Sequence, residues 1–274
     1  NDPNTLVEQF NLDSVIVATP NETHYELGNT FLKKGLDVFL EKPIATTFED
    51  ASSLVSTSIH RGKMLKSGFL LRFHPCIIDA RAQIRTGRIG AIQTIRYSKN
   101  AQRQGDNSTH ALDALAIHGI DLAEFLLDGQ TPCRISEVIG SHTSCALTLE
   151  YPNQVEIAID VGWGAEADIA ELEVIGRSGR IIVQLQQHGQ YEIIDRQSII
   201  EVVKSKHSPL EAVLLDFLEG DVTPMPTLLF VASTFNVEVS TVRSPVIVAV
   251  PEPVILPGTT RLCPEPKLTF PEPA

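Results

Sequence analysis

The sequence is short of the residues that mark several protein classes. It has only four cysteines in 274 residues, Cys76, Cys133, Cys145 and Cys263, far apart and without a C-x-x-C pair. That spacing excludes a disulfide scaffold and offers no zinc-ligand pattern, so free thiols in a reducing compartment are expected. Basic residues are the minority, with 22 Lys+Arg against 34 Asp+Glu and a formal net charge of −12. Such a balance does not supply the basic patches that nucleic-acid phosphates or anionic lipids require. No apolar run approaches about 18 residues, so no membrane span is expected. The opening residues have neither the basic nor the apolar segment of a secretory signal, which makes the cytoplasm the expected location. No G-x-S-x-G, H-E-x-x-H or G-x-x-x-x-G-K-[ST] motif occurs. His60, His74, His110, His142, His188 and His207 show no metal-ligand spacing, and no metal is expected.

What is present is an ordinary globular composition, 43% hydrophobic and 20% charged, long enough for a sizeable core. Residues 13–20 form a short β-branched run ending in Thr-Pro, read as a buried parallel strand and a loop. Residues 22–35 carry helical periodicity and stop at Gly35, with Asn21 placed to cap the start. Residues 37–40 are a second strand, 47–60 a helix capped by Thr47, and 63–69 a third strand. This order signals βαβ units and a parallel sheet. After about residue 70 the pattern changes. Helical segments begin at Pro75 and Ala111, and a strand covers 91–97. Seven further strand-like runs lie between 134 and 203, implying an open antiparallel sheet covered on one face. Residues 209–218 are one more helix, with Pro209 in its first turn. The segment 222–274 holds ten prolines and few charges, so it reads as an extended or atypical tail rather than a helix.

Three clusters could carry chemistry. Thr19, Pro20, Asn21 and His24 follow the carboxyl end of the first strand, where open α/β sheets bind ligands. Glu41-Lys42-Pro43 follows the second strand. A desolvated Lys42 there could donate to a substrate oxygen or exchange a proton near neutral pH, whereas an isolated surface lysine would simply pair with Glu41. His118 and Asp121, three apart on a predicted helix, share a face, and a carboxylate beside the imidazole would raise its pKa and orient it. The bland alternative is a structural histidine in an interface. From residues alone this is an α/β protein with a candidate Lys/His site.

The blocks taken in order resemble a known family. Val-Ile-Val-Ala-Thr-Pro-Asn-Glu-Thr-His24 and Gly35-Leu-Asp-Val-Phe-Leu-Glu-Lys-Pro43 look like the Gfo/Idh/MocA oxidoreductases. Leu71-Arg-Phe-His-Pro75, Gly87-Arg-Ile-Gly90, Ala116-Ile-His-Gly-Ile-Asp-Leu122 and Glu173-Val-Ile-Gly-Arg-Ser-Gly179 fit the family's second domain. The similarity covers about residues 10–220. It implies a partial Rossmann domain over 1–70 and an α+β domain with an open, mainly antiparallel sheet over 71–221, with 222–274 as an atypical tail. It implies an NAD- or NADP-dependent dehydrogenase or reductase acting on a sugar, polyol or similar carbinol or carbonyl, and a homo-oligomer. By motif position, Lys42 and His118 would be catalytic. Thr19, Pro20, Asn21, His24, Glu41, Lys42 and Pro43 would line the cofactor. Lys42, Arg72, His118 and Asp121 would face the substrate.

Three departures from the family pattern stand out. The G-x-G-x-x-G turn is absent, and the sequence opens near the family's fourth strand, so roughly 60 residues of βαβ structure are expected upstream, at about 30 per unit. The aspartate often found four residues before the catalytic histidine is Ala114 here. Asp113 lies one residue off, about 100° around an ideal helix. The proline-rich tail stands where a closing helix is expected. These departures keep a non-catalytic binding homologue as the alternative, beside a third possibility in which oxidation is transient, as in NAD-dependent glycoside cleavage. The polar loop 98–110, with Asn100, Gln102, Arg103, Gln104, Asp106 and Asn107, suits a hydroxylated ligand.

Overall fold

The computed structural model describes residues 12–104, 110–187, 189–195 and 197–219, together with Val7. The tail 222–274, Cys263, His188, Asp106 and Asn107 lie outside the described residues.

Residues 14–67 build a small parallel sheet. Strands β1 (Ser14–Val17), β2 (Asp37–Leu40) and β3 (Leu65–Ser67) pair in that order, with Ile16 opposite Phe39 and Phe39 opposite Lys66. Helix α1 (His24–Lys33) joins β1 to β2, and α2 (Phe48–Arg61) joins β2 to β3. The Thr47 hydroxyl accepts from the Asp50 amide at 3.2 Å and caps α2. Gly62, at φ 60°, ends α2 in the left-handed conformation that a side chain would strain. Asn21 does not cap α1 as its position suggests. It lies in a 3₁₀ turn, Asn21–Thr23, and the Thr23 hydroxyl instead donates to the Pro20 carbonyl at 2.7 Å. Val17, Leu32, Val38, Leu40, Leu54 and Leu65 form the buried layer between strands and helices.

The second sheet has eight strands in the order β11-β10-β9-β8-β4-β7-β6-β5. They are β4 (Ile92–Ala101), β5 (Arg134–Gly140), β6 (Ser144–Glu150), β7 (Glu156–Trp163), β8 (Ile169–Gly176), β9 (Arg180–Gln184), β10 (Gln190–Ile194) and β11 (Ser198–Val202). Only β4 and β7 pair in parallel; every other pair is antiparallel. The sheet is therefore open, mixed and mainly antiparallel, and the chain is α/β. Alternation sorts its residues: Ile95, Tyr97, Ile157, Ile159, Leu172 and Val174 are buried, while Arg96 and Asp160 between them are exposed. Strand β4 runs to Ala101, four residues beyond the expected end at 97, because Ser98 to Asn100 keep their pairing with both β7 and β8 and Ala101 pairs with Trp163 of β7.

Helices α3 (Pro75–Arg85) and α4 (Ile117–Leu126) pack on the apolar face of this sheet. The segment expected to be helical from 111 does not enter α4 as a plain α-helix. Leu112–Ala116 is a π-helical turn, which the apolar periodicity does not distinguish from an α turn. Helix α5 (Pro209–Leu218) begins with a Ser208–Glu211 capping box. It does not stay with the second sheet but returns to the first. Phe217 meets Phe39 edge-on with ring centroids 5.6 Å apart, Val213 is buried beside them, and Asp216 pairs with Lys66.

Gly119 sets the seat of α4. A Cβ there would lie 2.5 Å from Cδ1 of Tyr97, so only glycine lets the helix reach β4. We expect Gly119→Ala to destabilise the fold by about 1–3 kcal/mol through overpacking, read from chemical denaturation. An unchanged midpoint would show that α4 can move away without loss.

Candidate functional site

The site forms where the carboxyl ends of β1 and β2 meet the start of α4. The loop after β1 places Ala18, Thr19 and Pro20 at the surface, with Asn21 half-buried. His24, at the first turn of α1, sits beneath them and is fully buried. Its Nδ1 lies 2.6 Å from the Pro43 carbonyl oxygen and its Nε2 2.8 Å from the Thr19 carbonyl oxygen. The ring thus ties the two strand-end loops together and has no nitrogen left for a ligand. That differs from the expectation that His24 lies along a cofactor.

The loop after β2 carries Glu41, Lys42 and Pro43, with a cis Lys42–Pro43 peptide bond. One Glu41 carboxylate oxygen accepts the Lys42 amide at 3.2 Å, and the same carboxylate packs against the backbone of Gly68. The Lys42 side chain runs the other way. Its Nζ donates to the Ala114 carbonyl at 3.1 Å. At the position where the family often has an aspartate, the backbone therefore receives the lysine. Asp113 is exposed and makes no ion pair with Lys42, so it does not stand in for the missing carboxylate. Desolvation lowers the Lys42 pKa from its ordinary value. The Glu41 charge opposes this and the Arg103 charge adds to it.

His118 follows the π turn and closes the site. It is half-buried, its Nδ1 is enclosed without a hydrogen-bond partner among the described residues, and its ring meets Phe69 edge-on at 6.5 Å. The sequence suggests that Asp121 would raise its pKa. The structure reverses that. Desolvation first, then the Lys42 and Lys99 charges, push His118 down to about 3, so the ring is neutral at physiological pH. Asp121 instead belongs to Arg72. The Arg72 Nε donates to Asp121 Oδ1 at 2.8 Å, and the guanidinium also stacks on Phe125. Burial raises Asp121 to about 6 against the pull of Arg72. Arg72 and Asp121 thus form a buried ion pair behind α4.

Lys99 and Trp163 escape the sequence reading, and Arg103, named there only as part of the polar loop, gains a defined partner. Lys99 shares the apolar face of β4 with Ile95 and Tyr97, in register with Val161 and Ala170. A charge inside a period-2 apolar stripe was the signal that could have found it. Arg103 stacks over the Trp163 ring at 4.7 Å, and Trp163 lies opposite Ala101 on β7. Their contact depends on pairing across the sheet, so no local pattern predicts it.

Sequence comparisons agree with this architecture. Residues 1–69 match the model of the oxidoreductase family with an NAD-binding Rossmann fold, and residues 77–182 match the GFO/IDH/MocA C-terminal domain. The chain belongs to the Gfo/Idh/MocA oxidoreductase family. Inositol 2-dehydrogenase 2 of Saccharopolyspora erythraea is 30% identical over 195 residues, covering 66% of this chain and 57% of that protein. The scyllo-inositol 2-dehydrogenase (NAD(+)) of Bacillus subtilis is 29% identical over 215 residues, covering 70% and 61%. The chain therefore spans about three fifths of these curated relatives. Among solved structures, an inositol dehydrogenase homologue from Azotobacter vinelandii, in complex with NADH and myo-inositol, superposes with a TM-score of 0.65 at 19% identity, covering 85% of this chain and 68% of that one. Aldose-aldose oxidoreductase from Caulobacter crescentus gives 0.74 at 18% identity, covering 84% and 76%. At that identity the likeness is one of fold.

Two measurements test this geometry. The His118 ring should remain neutral from pH 8 to pH 5 in ¹H–¹⁵N spectra of its imidazole nitrogens. The unfolded chain binds that proton near 6.5 and the folded chain only near 3, so stability should fall as pH drops through this window. Protonation of the folded ring near 6.5 would refute the buried, cation-flanked environment. Separately, Arg72→Met leaves Asp121 buried without its partner. It should cost about 3–5 kcal/mol in denaturant unfolding, with much of the loss recovered by adding Asp121→Leu. Equal stability of Arg72→Met and the parent would show that the pair is not structural.

Proposed function

We propose that this chain serves NAD- or NADP-dependent oxidation or reduction of a sugar-like or polyol substrate, with Lys42 and His118 at the reacting oxygen. The observation that carries this reading is the convergence of a desolvated lysine and a neutral, partnerless imidazole at the carboxyl ends of parallel strands. The residues present fit the nicotinamide end of such a cofactor. The exposed Thr19-Pro20 loop and Lys42 form the strand-end rim at which open α/β sheets hold nucleotides. The nicotinamide, when bound, supplies the hydride chemistry at carbon.

The protein's part is proton transfer and placement. Oxidation of a hydroxyl carbon requires its proton to leave, so a base must reach that oxygen. His118 is neutral and takes the proton at a ring nitrogen as negative charge developing on the substrate oxygen offsets the Lys42 and Lys99 charges that hold its pKa down. Lys42 donates from Nζ and steadies negative charge on the same oxygen. In the reducing direction the roles reverse, with His118 returning the proton. Exchanging the Ala114 carbonyl for a substrate oxygen keeps the Lys42 Nζ hydrogen-bonded. His24 is a positioning residue, holding the Pro43 and Thr19 carbonyls from below. Arg72 and Asp121 support α4 from behind rather than contacting substrate.

Ala114 favours the second reading, a homologue that binds a sugar without turning it over, because no carboxylate tunes Lys42 from that position. Turnover separates the two. With myo-inositol and a panel of polyols and NAD⁺ or NADP⁺, Lys42→Met should lower the rate at least about 100-fold without moving the melting temperature. A rate untouched by Lys42→Met would remove the lysine from the reaction. Sugar binding with no cofactor binding would establish the binding homologue instead.

A further inference from the structure

The chain carries a net charge of −12, yet cations surround His118. Lys42 reaches the π turn from β2, Lys99 projects from the end of β4, and Arg103 lies two residues beyond that strand. They arrive by independent routes. Residues 95, 97, 99 and 101 share the helix-covered face of β4, and Gly119 of α4 rests on Tyr97. Lys99, one period further along, therefore comes up beside the preceding helical residue, His118. On the neighbouring strand β7, Val161 faces Lys99 and Trp163 faces Ala101. Trp163 holds the Arg103 guanidinium on its ring at 4.7 Å. Arg103 is thereby fixed near Lys42 although its side chain is solvent-facing.

Among the described residues the positive charge is balanced only in part, by the Glu41 charge acting on Lys42. None of Lys42, Lys99 and Arg103 forms an ion pair with a carboxylate among the described residues. Glu41, the nearest acidic neighbour in sequence, spends its carboxylate on the Lys42 amide and the turn at Gly68. Two enclosed polar atoms of the same region, His118 Nδ1 and Trp163 Nε1, have no hydrogen-bond partner among the described residues. Elsewhere the arginines of this sheet are neutralised, as Arg96 and Arg180 are by Glu173. Like charges gathered around enclosed, partnerless nitrogens form a setting that an anionic ligand would complement.

We propose that Lys99 and Arg103 make this site selective for an anionic sugar, one carrying a carboxylate or a phosphate. The inference deepens the function proposed above and rests on it. A neutral polyol satisfies Lys42 and His118 but leaves Lys99 and Arg103 unanswered. A sugar acid answers all four, with Arg103 offering the planar fork that matches a carboxylate or phosphate. A cofactor phosphate has the same chemistry, so the test separates the two sources.

The experiment is calorimetric titration of the full chain, with and without NADH, using matched ligands: D-glucuronate against D-glucose, D-galacturonate against D-galactose, and glucose 6-phosphate. The His118 ring nitrogens, followed by NMR, report whether each ligand occupies this site. The acids should bind at least about tenfold more tightly than their parent hexoses, and shift His118. That advantage should shrink with added salt and fall about tenfold in Lys99→Met and in Arg103→Gln. Arg103 is solvent-facing, so Arg103→Gln keeps the test available if Lys99→Met does not fold. Equal affinity for acids and hexoses, with His118 shifted by both, would overturn the anion selectivity and leave the functional reading standing. If no ligand moves His118, the reading of the Lys42–His118 site falls and this inference falls with it. If the two variants weaken NADH binding but not uronate binding, the cations serve the cofactor and the proposal is wrong.

Discussion

The two contacts of the His24 ring are the constraint on which the rest of the site depends. Parallel strands deliver their loops to one edge of the sheet, but the β1–β2 register stops at Val17 and Leu40, and beyond it a single backbone bond, from the Glu41 amide to the Val17 carbonyl, continues the ladder between them. His24 supplies the missing tie, linking the loop after β1 to the loop after β2 through the Thr19 and Pro43 carbonyls. A buried ring between two carbonyls leaves little freedom for the Lys42 backbone one residue away. The lysine is aimed from a braced turn rather than from a free surface loop. Its long side chain can then be held by a single carbonyl, that of Ala114.

The second sheet supplies the other half of the site by a different device. Its apolar face must be covered, and Gly119 lets α4 come down onto Tyr97. The buried Arg72–Asp121 pair holds the far side of the same helix to the segment that leaves the first sheet. Burial costs any charged group its hydration, and the proximity of Lys42 and Lys99 adds repulsion. His118 is therefore neutral for reasons that lie in packing, before any ligand arrives.

Much of this was legible in the residues. Strand-like runs separated by turn residues located each strand of the second sheet, and Pro209 marked the last helix at its observed start. The Thr-Pro-Asn and Glu-Lys-Pro blocks, set directly after apolar runs, located the strand-end rim. The partnerships were not legible. Asp121 looks toward His118 in sequence, but its charge is taken by an arginine 49 residues earlier. Alternation puts Lys99 on the face of Ile95 and Tyr97, but its place beside His118 depends on how α4 packs on that face. The π turn preserves the apolar positions Leu112, Leu115 and Ala116, so periodicity cannot reveal it. Each miss is a tertiary choice among partners that local pattern leaves equal.

Helix α5 adds something the site alone does not show. The chain passes from the first sheet to the second after Ser67, and passes back before Pro209 to pack Phe217 on Phe39. Two crossings, unlike one, suppress twisting between the layers they connect.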